Sequence, residues 1–359
     1  MLPLIVIRML RMYLSRVLHA DSQFKLSAIV NSSMAIMRLI ICTFLVLMGK
    51  GLVGIIVGFY LADTYGLIFL LFLITPRYPL LTGNMKKVFI ASKDTLRFCS
   101  LIFIPAIVVF LDTKIDVFLV NFYLEKEDVA VYAYAIEFAL ILTLIGDTIS
   151  QVNFPRLSMA FSNSNNGEVQ RIYARSIRLS FFVISSLAMV FLFLSPYIIA
   201  IILPSNYLAM LPLLNILLVG IVPFSAISSV GTIMTSRGKP AYDALPVSIS
   251  LIVNVGLSVF LIPSFGMVGA AVSTTISFLI RVILGCMMIE KYVGTNFQYG
   301  RIIVAYSVFI VIVFSVLQVG HTYFLEILGT LVYIIFCWRI ALSASDREVV
   351  NKYFVSRLA

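Results

Sequence analysis

Ionisable side chains interrupt the apolar segments of this sequence, and they are the residues best placed to do chemistry. The segment from Phe98 to Phe122 is long and apolar enough to cross a bilayer, which takes about 20 residues, yet it contains Asp112, Lys114 and Asp116. A charge near the bilayer centre costs on the order of 2.5–3.5 kcal/mol, and such residues usually face a protein interior or a water-filled cavity. The sequence therefore predicts polar surroundings for this segment inside the membrane.

Helical spacing separates these three charges into two groups. Asp112 and Asp116 are one turn apart on the same face of a helix, about 6 Å along its axis, whereas Lys114 points to the opposite face. The lysine therefore cannot neutralise both acids, and it needs a partner on another helix. Because Glu137 lies at a similar depth in the next apolar segment, we predict a buried Lys114–Glu137 pair.

Three more charges, Arg38, Asp63 and Arg281, also fall inside apolar segments. Two interpretations are open. The charges can pair with one another and lock helices together, or they can line a transport route, which intramembrane ionisable residues commonly mark. Since a passive bundle does not need so many buried charges, the sequence favours transport.

Composition places the chain in one structural class. Of its 359 residues 61% are hydrophobic and 12% are charged, and the mean hydropathy is +1.08. Successive apolar runs of about 20 residues indicate an all-α integral membrane protein. We predict about ten transmembrane helices, at residues 30–48, 52–74, 98–121, 129–150, 179–203, 208–235, 242–263, 267–289, 302–318 and 322–338.

Enzyme chemistry finds no support in the sequence. It has no nucleophile elbow, no phosphate-binding glycine loop and no zinc-binding pattern, and its connections are too short for an extramembrane catalytic domain. The four cysteines lie singly in or beside apolar spans, at Cys42, Cys99, Cys286 and Cys337. This pattern is typical of packing thiols and not of a disulfide or metal framework. We therefore predict neither an enzyme nor a bound metal or cofactor.

The basic residues are sorted by side of the membrane. Twenty-one of the 26 lysines and arginines lie in the terminal segments and in every second connection, and only Lys50 and Lys126 lie in the remaining connections. By the positive-inside rule, the basic side is the cytoplasm and holds both termini. The net charge of +10 is thus a signal of topology, and no nucleic-acid partner is expected.

Three blocks of sequence carry a resemblance to a known family. The first, IPAIVVFLDTKIDVFLVNFYLEKEDVAVYAYAIEF, has a proline early in one helix, an aspartate before an apolar run, and a Val-x-x-Tyr-Ala-x-Ala opening of the next helix. The second is IILPSNYLAMLPLLNILLVG, and the third, starting at Asn254, is NVGLSVFLIPSFGMVGAAVSTTISFLI. Together they resemble the polysaccharide exporters of the MOP superfamily, the Wzx-type O-antigen flippases.

The resemblance implies a MATE-like bundle with two six-helix lobes. Residues 98–289 would form the C-terminal lobe, and 290–359 an extra transmembrane pair with a cytoplasmic tail. Residues 1–97 would be a remnant of the N-terminal lobe, with two transmembrane helices and a cytoplasmic linker. On this interpretation residues 1–20 would be the cytoplasmic end of the fourth helix, and the first lobe is incomplete, because about the first hundred residues of a fourteen-helix member have no counterpart.

The implied function is a flippase for undecaprenyl-diphosphate-linked oligosaccharide repeat units in the bacterial inner membrane, serving O-antigen, capsule or exopolysaccharide assembly. Its partners would be the lipid-linked oligosaccharide, membrane lipids and other polysaccharide-assembly membrane proteins. A diphosphate inside a membrane needs cations, so Arg38, Arg281 and Lys114 are candidate substrate-binding residues, and the polar Asn254 of the third sequence block is a fourth candidate. The buried acids would couple transport to protons or sodium, and the candidates are Asp63, Asp112, Asp116 and Glu137.

Two alternative functions stay open at this level. A MATE-type antiporter for a cation or drug would depend on the acids and not on the arginines. A non-transporting membrane scaffold fragment would depend on neither group, and an incomplete first lobe is compatible with it. Alanine replacement of the arginines distinguishes the flippase from both.

The charge distribution predicts which connections are external. Reporter fusions after Lys126 and Asn206 should read as external, and fusions after Lys87, Gly167 and Lys239 as cytoplasmic, because basic connections stay on the cytoplasmic side. Paired alkaline phosphatase and fluorescent-protein fusions measure this. A cytoplasmic signal at Lys126 would contradict the whole span assignment.

Overall fold

The computed structural model describes residues 2–20, 23–75, 107–112, 114–237, 241–294, 297, 299–319 and 323–348. Every regular element among these residues is helical. Within the described ranges, six helical stretches are long and apolar enough to cross a membrane. The predicted class, an all-α membrane protein, is therefore confirmed.

The chain forms two compact units, Met1–Thr95 and Leu96–Ala359. The helices of the first unit are α1 (Leu2–Ala20), α2 (Phe24–Leu45) and α3 (Gly51–Ile74), with a π-helical turn, Val46–Lys50, between the last two. The three-part division predicted from the sequence, with boundaries at residues 97 and 289, stays a prediction.

The second unit contains the remaining helices of the described residues. They are α4 (107–112 and 114–123), α5 (Lys126–Leu140), α6 (Thr143–Ser162), α7 (Asn166–Ile202), α8 (Leu211–Ala226), α9 (Ser229–Ser236), α10 (Ala241–Val293), α11 (Gly300–Val319) and α12 (Tyr323–Ile340). A 3-10 turn, Ser205–Met210, joins α7 to α8.

The predicted spans map onto these helices with few changes. Eight of them fall within the six membrane-length stretches, because Lys25–Ile74 and Ala244–Val293 each hold two. Span 322–338 corresponds to α12. Span 98–121 lies partly outside the described residues, and α4 covers its second half.

Small residues let α2 and α3 approach closely. Gly54, Gly58, Ala62 and Gly66 repeat every fourth position, so they form one smooth stripe along α3, and all four are buried. A Cβ atom on Gly58 would lie only 2.4 Å from the Cys42 sulfur of α2. The stripe is thus a helix-packing surface, as its spacing predicts.

Helix α10 is a hairpin of two antiparallel arms, residues 241–265 and 267–293. The chain reverses at Gly266, whose φ of 59° is left-handed and favours glycine. A Cβ on Gly269 would lie 2.2 Å from the Leu261 carbonyl oxygen, so only glycine lets the arms meet there. The hairpin brings the polar residues of both arms toward each other.

The core of the second unit combines apolar packing with buried polar contacts. Its largest fully buried side chains include Tyr132, Phe181, Phe309 and Tyr333. Because lipid tails are as apolar as these side chains, close packing and interhelical hydrogen bonds hold helices together within a bilayer, more than the expulsion of water does. The buried polar groups therefore fix which helices meet and in what register.

Outside the spans, Asp346 ties the end of the described chain to α7. Its buried carboxylate accepts hydrogen bonds from Arg178 Nε at 2.6 Å and from the Ser343 hydroxyl at 2.5 Å, and Arg175 Nε lies 3.8 Å away. Burial raises the pKa of this carboxyl, but the hydrogen bonds from Arg178 and Ser343 and the Arg178 charge outweigh it and hold the pKa below its ordinary value. The carboxylate thus stays charged at neutral pH and fixes Arg178 in place.

Candidate functional site

In the first unit, two arginines converge on one buried acid. Asp63, on α3, is 1% exposed. Its Oδ1 accepts a hydrogen bond from Arg38 Nη2 on α2 at 3.1 Å, and Arg11 Nε on α1 lies 3.3 Å from the same oxygen. One helix of the unit supplies each of the three side chains.

This cluster carries one more positive charge than negative charge. The Nε atoms of Arg11 and Arg38 are buried and have no hydrogen-bond acceptor among the described residues. The Arg38 guanidinium also lies over the Phe59 ring, 4.6 Å from its centroid, which stabilises it further. Arg11 also donates from Nη1 to the Asn31 side-chain oxygen at 3.4 Å. The excess positive charge of the two guanidiniums suits an anion with several oxygens.

Arg11 was not predicted to be a site residue. From the sequence it was one of the cytoplasmic basic residues before the first span. The structure corrects this, because Arg11 belongs to α1 and is buried. Helical periodicity was the available signal, since Leu14 and Leu18 fall on the same face and are buried as well. A short, basic, moderately apolar segment does not by itself indicate a buried helix.

In the second unit, Asp112, a predicted ion-coupling residue, forms an ion pair with Arg281, a predicted substrate-binding residue. Its carboxylate is 2.7 Å from Arg281 Nη1 on the second arm of α10, and both side chains are largely buried. The Arg281 guanidinium is also 4.9 Å from the centroid of the Phe224 ring on α8. Asp112 and Arg281 therefore neutralise each other and join three helices.

Asp116, one turn further along α4, has different partners. Asn254 on the first arm of α10 donates to its carboxylate, and Thr274 on the second arm donates to it at 3.1 Å. The Tyr132 hydroxyl oxygen of α5 lies 3.0 Å from the Thr274 hydroxyl oxygen. The Ser258 hydroxyl donates to the Asn254 side-chain carbonyl oxygen at 3.2 Å. Among the described residues no cationic side chain pairs with Asp116.

The lack of a cationic partner within the described part of the chain makes Asp116 a candidate for exchanging a small cation. An ionised carboxylate buried without a counter-charge is unfavourable, so it takes up a proton or a metal cation. Its two partners carry amide and hydroxyl oxygens, and the Thr274 hydroxyl oxygen also lies 2.9 Å from the Ala270 carbonyl oxygen. This donor set fits a proton or an alkali cation better than a transition metal. The sequence singled out Asp116 and Asn254 but missed Thr274 and Ser258.

Lys114 and Glu137 form the pair that their positions predict. Lys114 Nζ lies 3.4 Å from Glu137 Oε1. The predicted burial is wrong, because the two side chains are 59% and 63% exposed. The reason is that α4 turns this face away from the α10 hairpin, which packs on the face with the two acids. An exposed ion pair at membrane depth requires water or polar groups around it.

Comparisons with known proteins agree with this architecture. A family model described as lipid II flippase MurJ matches residues 1–342. The chain belongs to this family. The resemblance to MOP-superfamily flippases is thereby confirmed, and the family is one of transporters and not of enzymes.

Individual relatives are more distant. The chain is 27% identical over 187 residues to a probable low-salt glycan biosynthesis flippase of Haloferax volcanii, which covers 52% of this chain and 40% of the relative. It is 29% identical over 183 residues to a putative O-antigen transporter of Shigella flexneri, which covers 49% of this chain and 40% of the relative. The chain thus matches less than half the length of either protein.

The fold also matches a solved structure. The structure of the lipid II flippase MurJ in an inward closed conformation superposes with a TM-score of 0.71 at 20% identity, covering 93% of this chain and 71% of that one. At this level of identity the match establishes the fold alone.

The two ion pairs of α4 should differ in their contribution to stability. Arg281→Ala leaves the Asp112 carboxylate buried without a partner, which costs about 3–5 kcal/mol, whereas Lys114→Ala breaks an exposed pair and costs about 1 kcal/mol or less. Thermal unfolding of the purified protein in detergent measures both. Combining Arg281→Ala with Asp112→Asn should be less harmful than the sum of the single changes. Equal losses for Arg281→Ala and Lys114→Ala would contradict the assignment.

Proposed function

We propose that this chain translocates a lipid-linked oligosaccharide across the cytoplasmic membrane. Membership of a flippase family supports the reaction class, and the observation that carries the proposal is the Arg11–Arg38–Asp63 cluster. In a membrane, a buried group with excess positive charge is unfavourable, and an approaching anion removes that penalty. The diphosphate of a lipid-linked sugar is such an anion.

The proposed substrate is an undecaprenyl-diphosphate-linked repeat unit for O-antigen, capsule or exopolysaccharide assembly. The name of the Shigella flexneri relative supports an O-antigen unit, and that of the Haloferax volcanii relative supports a glycan precursor more broadly. The positive cluster of the first unit argues against a cationic drug, because like charges at this depth repel strongly. The basic connections support a bacterial inner-membrane location with both termini in the cytoplasm.

In this proposal the charged residues have separate roles. Arg38 and Arg11 contact the diphosphate, while Arg281 has its guanidinium committed to Asp112 and acts mainly in holding helices together. Of the four predicted ion-coupling acids, only Asp116 lacks a cationic partner among the described residues. We therefore assign ion coupling to Asp116, with Asn254 as its fixed neighbour.

The anion site is tested by substitution of its arginines. Arg38→Ala and Arg11→Ala should each abolish glycan export, because the remaining guanidinium is then neutralised by Asp63. Arg38→Lys should restore export only in part, since the two-pronged geometry is lost. The measurement is surface glycan in a flippase-deleted strain that carries the chain, at matched protein level. Arg156→Ala, which changes an exposed arginine at the membrane edge, is the control, and normal export by the Arg11/Arg38 double alanine variant would remove the cluster from the mechanism.

Ion coupling is tested at Asp116. Asp116→Asn keeps a side chain of the same shape, with an amide donor in place of one carboxylate oxygen, and cannot exchange a cation, so transport should persist without its dependence on an ion gradient. Translocation in vesicles with an imposed proton or sodium gradient measures this. Glu137→Gln, a change of an exposed acid on the neighbouring helix, should retain the gradient dependence. If Asp116→Asn retains it as well, Asp116 has a packing role only.

A further inference from the structure

A polar cavity lies at the basic end of the second unit. It has a volume of about 460 Å³ and lies between the first turns of α7, Phe297, the start of α11 and residues 341 to 343. Arg171, Arg178 and Arg301 line it, and no acidic residue is among the lining residues that the structure describes.

The three arginines differ in how far they are already neutralised. Arg178 is held by Asp346 at 2.6 Å and so contributes little net charge. Arg171 is 81% exposed and has only a long contact, 3.9 Å, with Glu168. Arg301 has no ion-pair partner among the described residues. The cavity therefore has a net positive potential that comes mainly from Arg171 and Arg301.

The walls of the cavity are held rigidly. Tyr173 and Tyr299 join α7 to the start of α11 through a hydroxyl contact of 2.9 Å. Gln170 donates to the Gly294 carbonyl oxygen at 2.8 Å. Because α7 and the start of α11 are cross-linked in this way, the arginines on both walls are kept near one another without an acid between them.

The cavity also lies at a defined depth. Arg178 directly precedes the predicted span 179–203, and Arg301 lies in the first turn of α11, whose membrane-length stretch is Gly300–Gln318. This is the level at which phospholipid headgroups meet the protein, on the side that the basic connections mark as cytoplasmic. Guanidiniums there can bind phosphate oxygens through paired hydrogen bonds.

We propose that this cavity is a binding site for a phosphate group, supplied by the headgroup of an anionic phospholipid of the cytoplasmic leaflet. Arg171 and Arg301 contact the phosphate from opposite walls, and the Arg178–Asp346 pair forms the base of the site. The site is independent of the proposed substrate path, which uses the intramembrane charges. It makes the second unit sensitive to the lipid composition of its own leaflet.

The test is lipid retention by the full chain in detergent, measured by native mass spectrometry. Phosphatidylglycerol and phosphatidylcholine with identical acyl chains are compared at equal concentration. The unmodified chain should retain phosphatidylglycerol preferentially. The Arg171→Ala/Arg301→Ala variant should bind it roughly thirty-fold more weakly, because each basic residue at a membrane surface contributes about 1 kcal/mol and 1.4 kcal/mol is tenfold.

Two further variants keep the test informative. Arg156→Ala removes one exposed arginine outside the cavity and should leave retention unchanged. Ala174→Phe fills the cavity without changing any charge and should lower retention as the arginine double variant does. Thermal unfolding checks that each variant is folded.

The outcomes separate the sources of the phosphate. Displacement of phosphatidylglycerol by millimolar inorganic phosphate, with the arginine double variant insensitive to phosphate, upholds the site and assigns it to a soluble phosphate. Retention that is unchanged in both the arginine double variant and Ala174→Phe overturns the proposal. An equal loss in Arg156→Ala overturns it too, because the attraction would then come from the general charge of that side.

Discussion

The cost of placing a charge in an apolar bilayer organises this structure. Each of the three buried intramembrane acids among the described residues is compensated in a different way. Asp112 is neutralised by Arg281, Asp63 is over-neutralised by two arginines, and Asp116 is solvated by amide and hydroxyl groups. A buried pair contributes little net stability compared with apolar packing, but losing one partner is severe. The charges therefore specify which helices must meet more than they strengthen the fold.

This constraint explains what the sequence could predict. Span positions follow from composition, which needs no tertiary information. Sidedness, which the distribution of lysines and arginines indicates, stays a prediction. Helical spacing placed Asp112 and Asp116 on one face and Lys114 on the other, and the structure has this arrangement. The Lys114–Glu137 contact was accessible because the two residues lie on consecutive helices at matched depth.

The remaining contacts depend on long-range register, which one sequence does not contain. Asp112 meets Arg281 across 169 positions, and Asp116 meets Asn254 across 138. The burial of Lys114 and Glu137 was predicted wrongly because the pairing of two charges does not determine what covers them. Arg11 was missed for the converse reason: topology rules treat a basic residue before a span as a cytoplasmic marker, while the fold uses it as a buried partner.

The difference between Asp112 and Asp116 follows from the antiparallel packing of α4 against the second arm of α10. Asp116 contacts Thr274, and Asp112 contacts Arg281. Asp112 lies one turn before Asp116 on α4, whereas Arg281 lies two turns after Thr274 on that arm. The long arginine side chain spans the extra turn, about 5 Å. Because Asp112 is thereby fixed, Asp116 is the one of these two acids that can change its charge without breaking an ion pair. Its partners lie on both arms of the α10 hairpin, so the proposed exchange of a cation at Asp116 would change the contacts of α4 with both arms together.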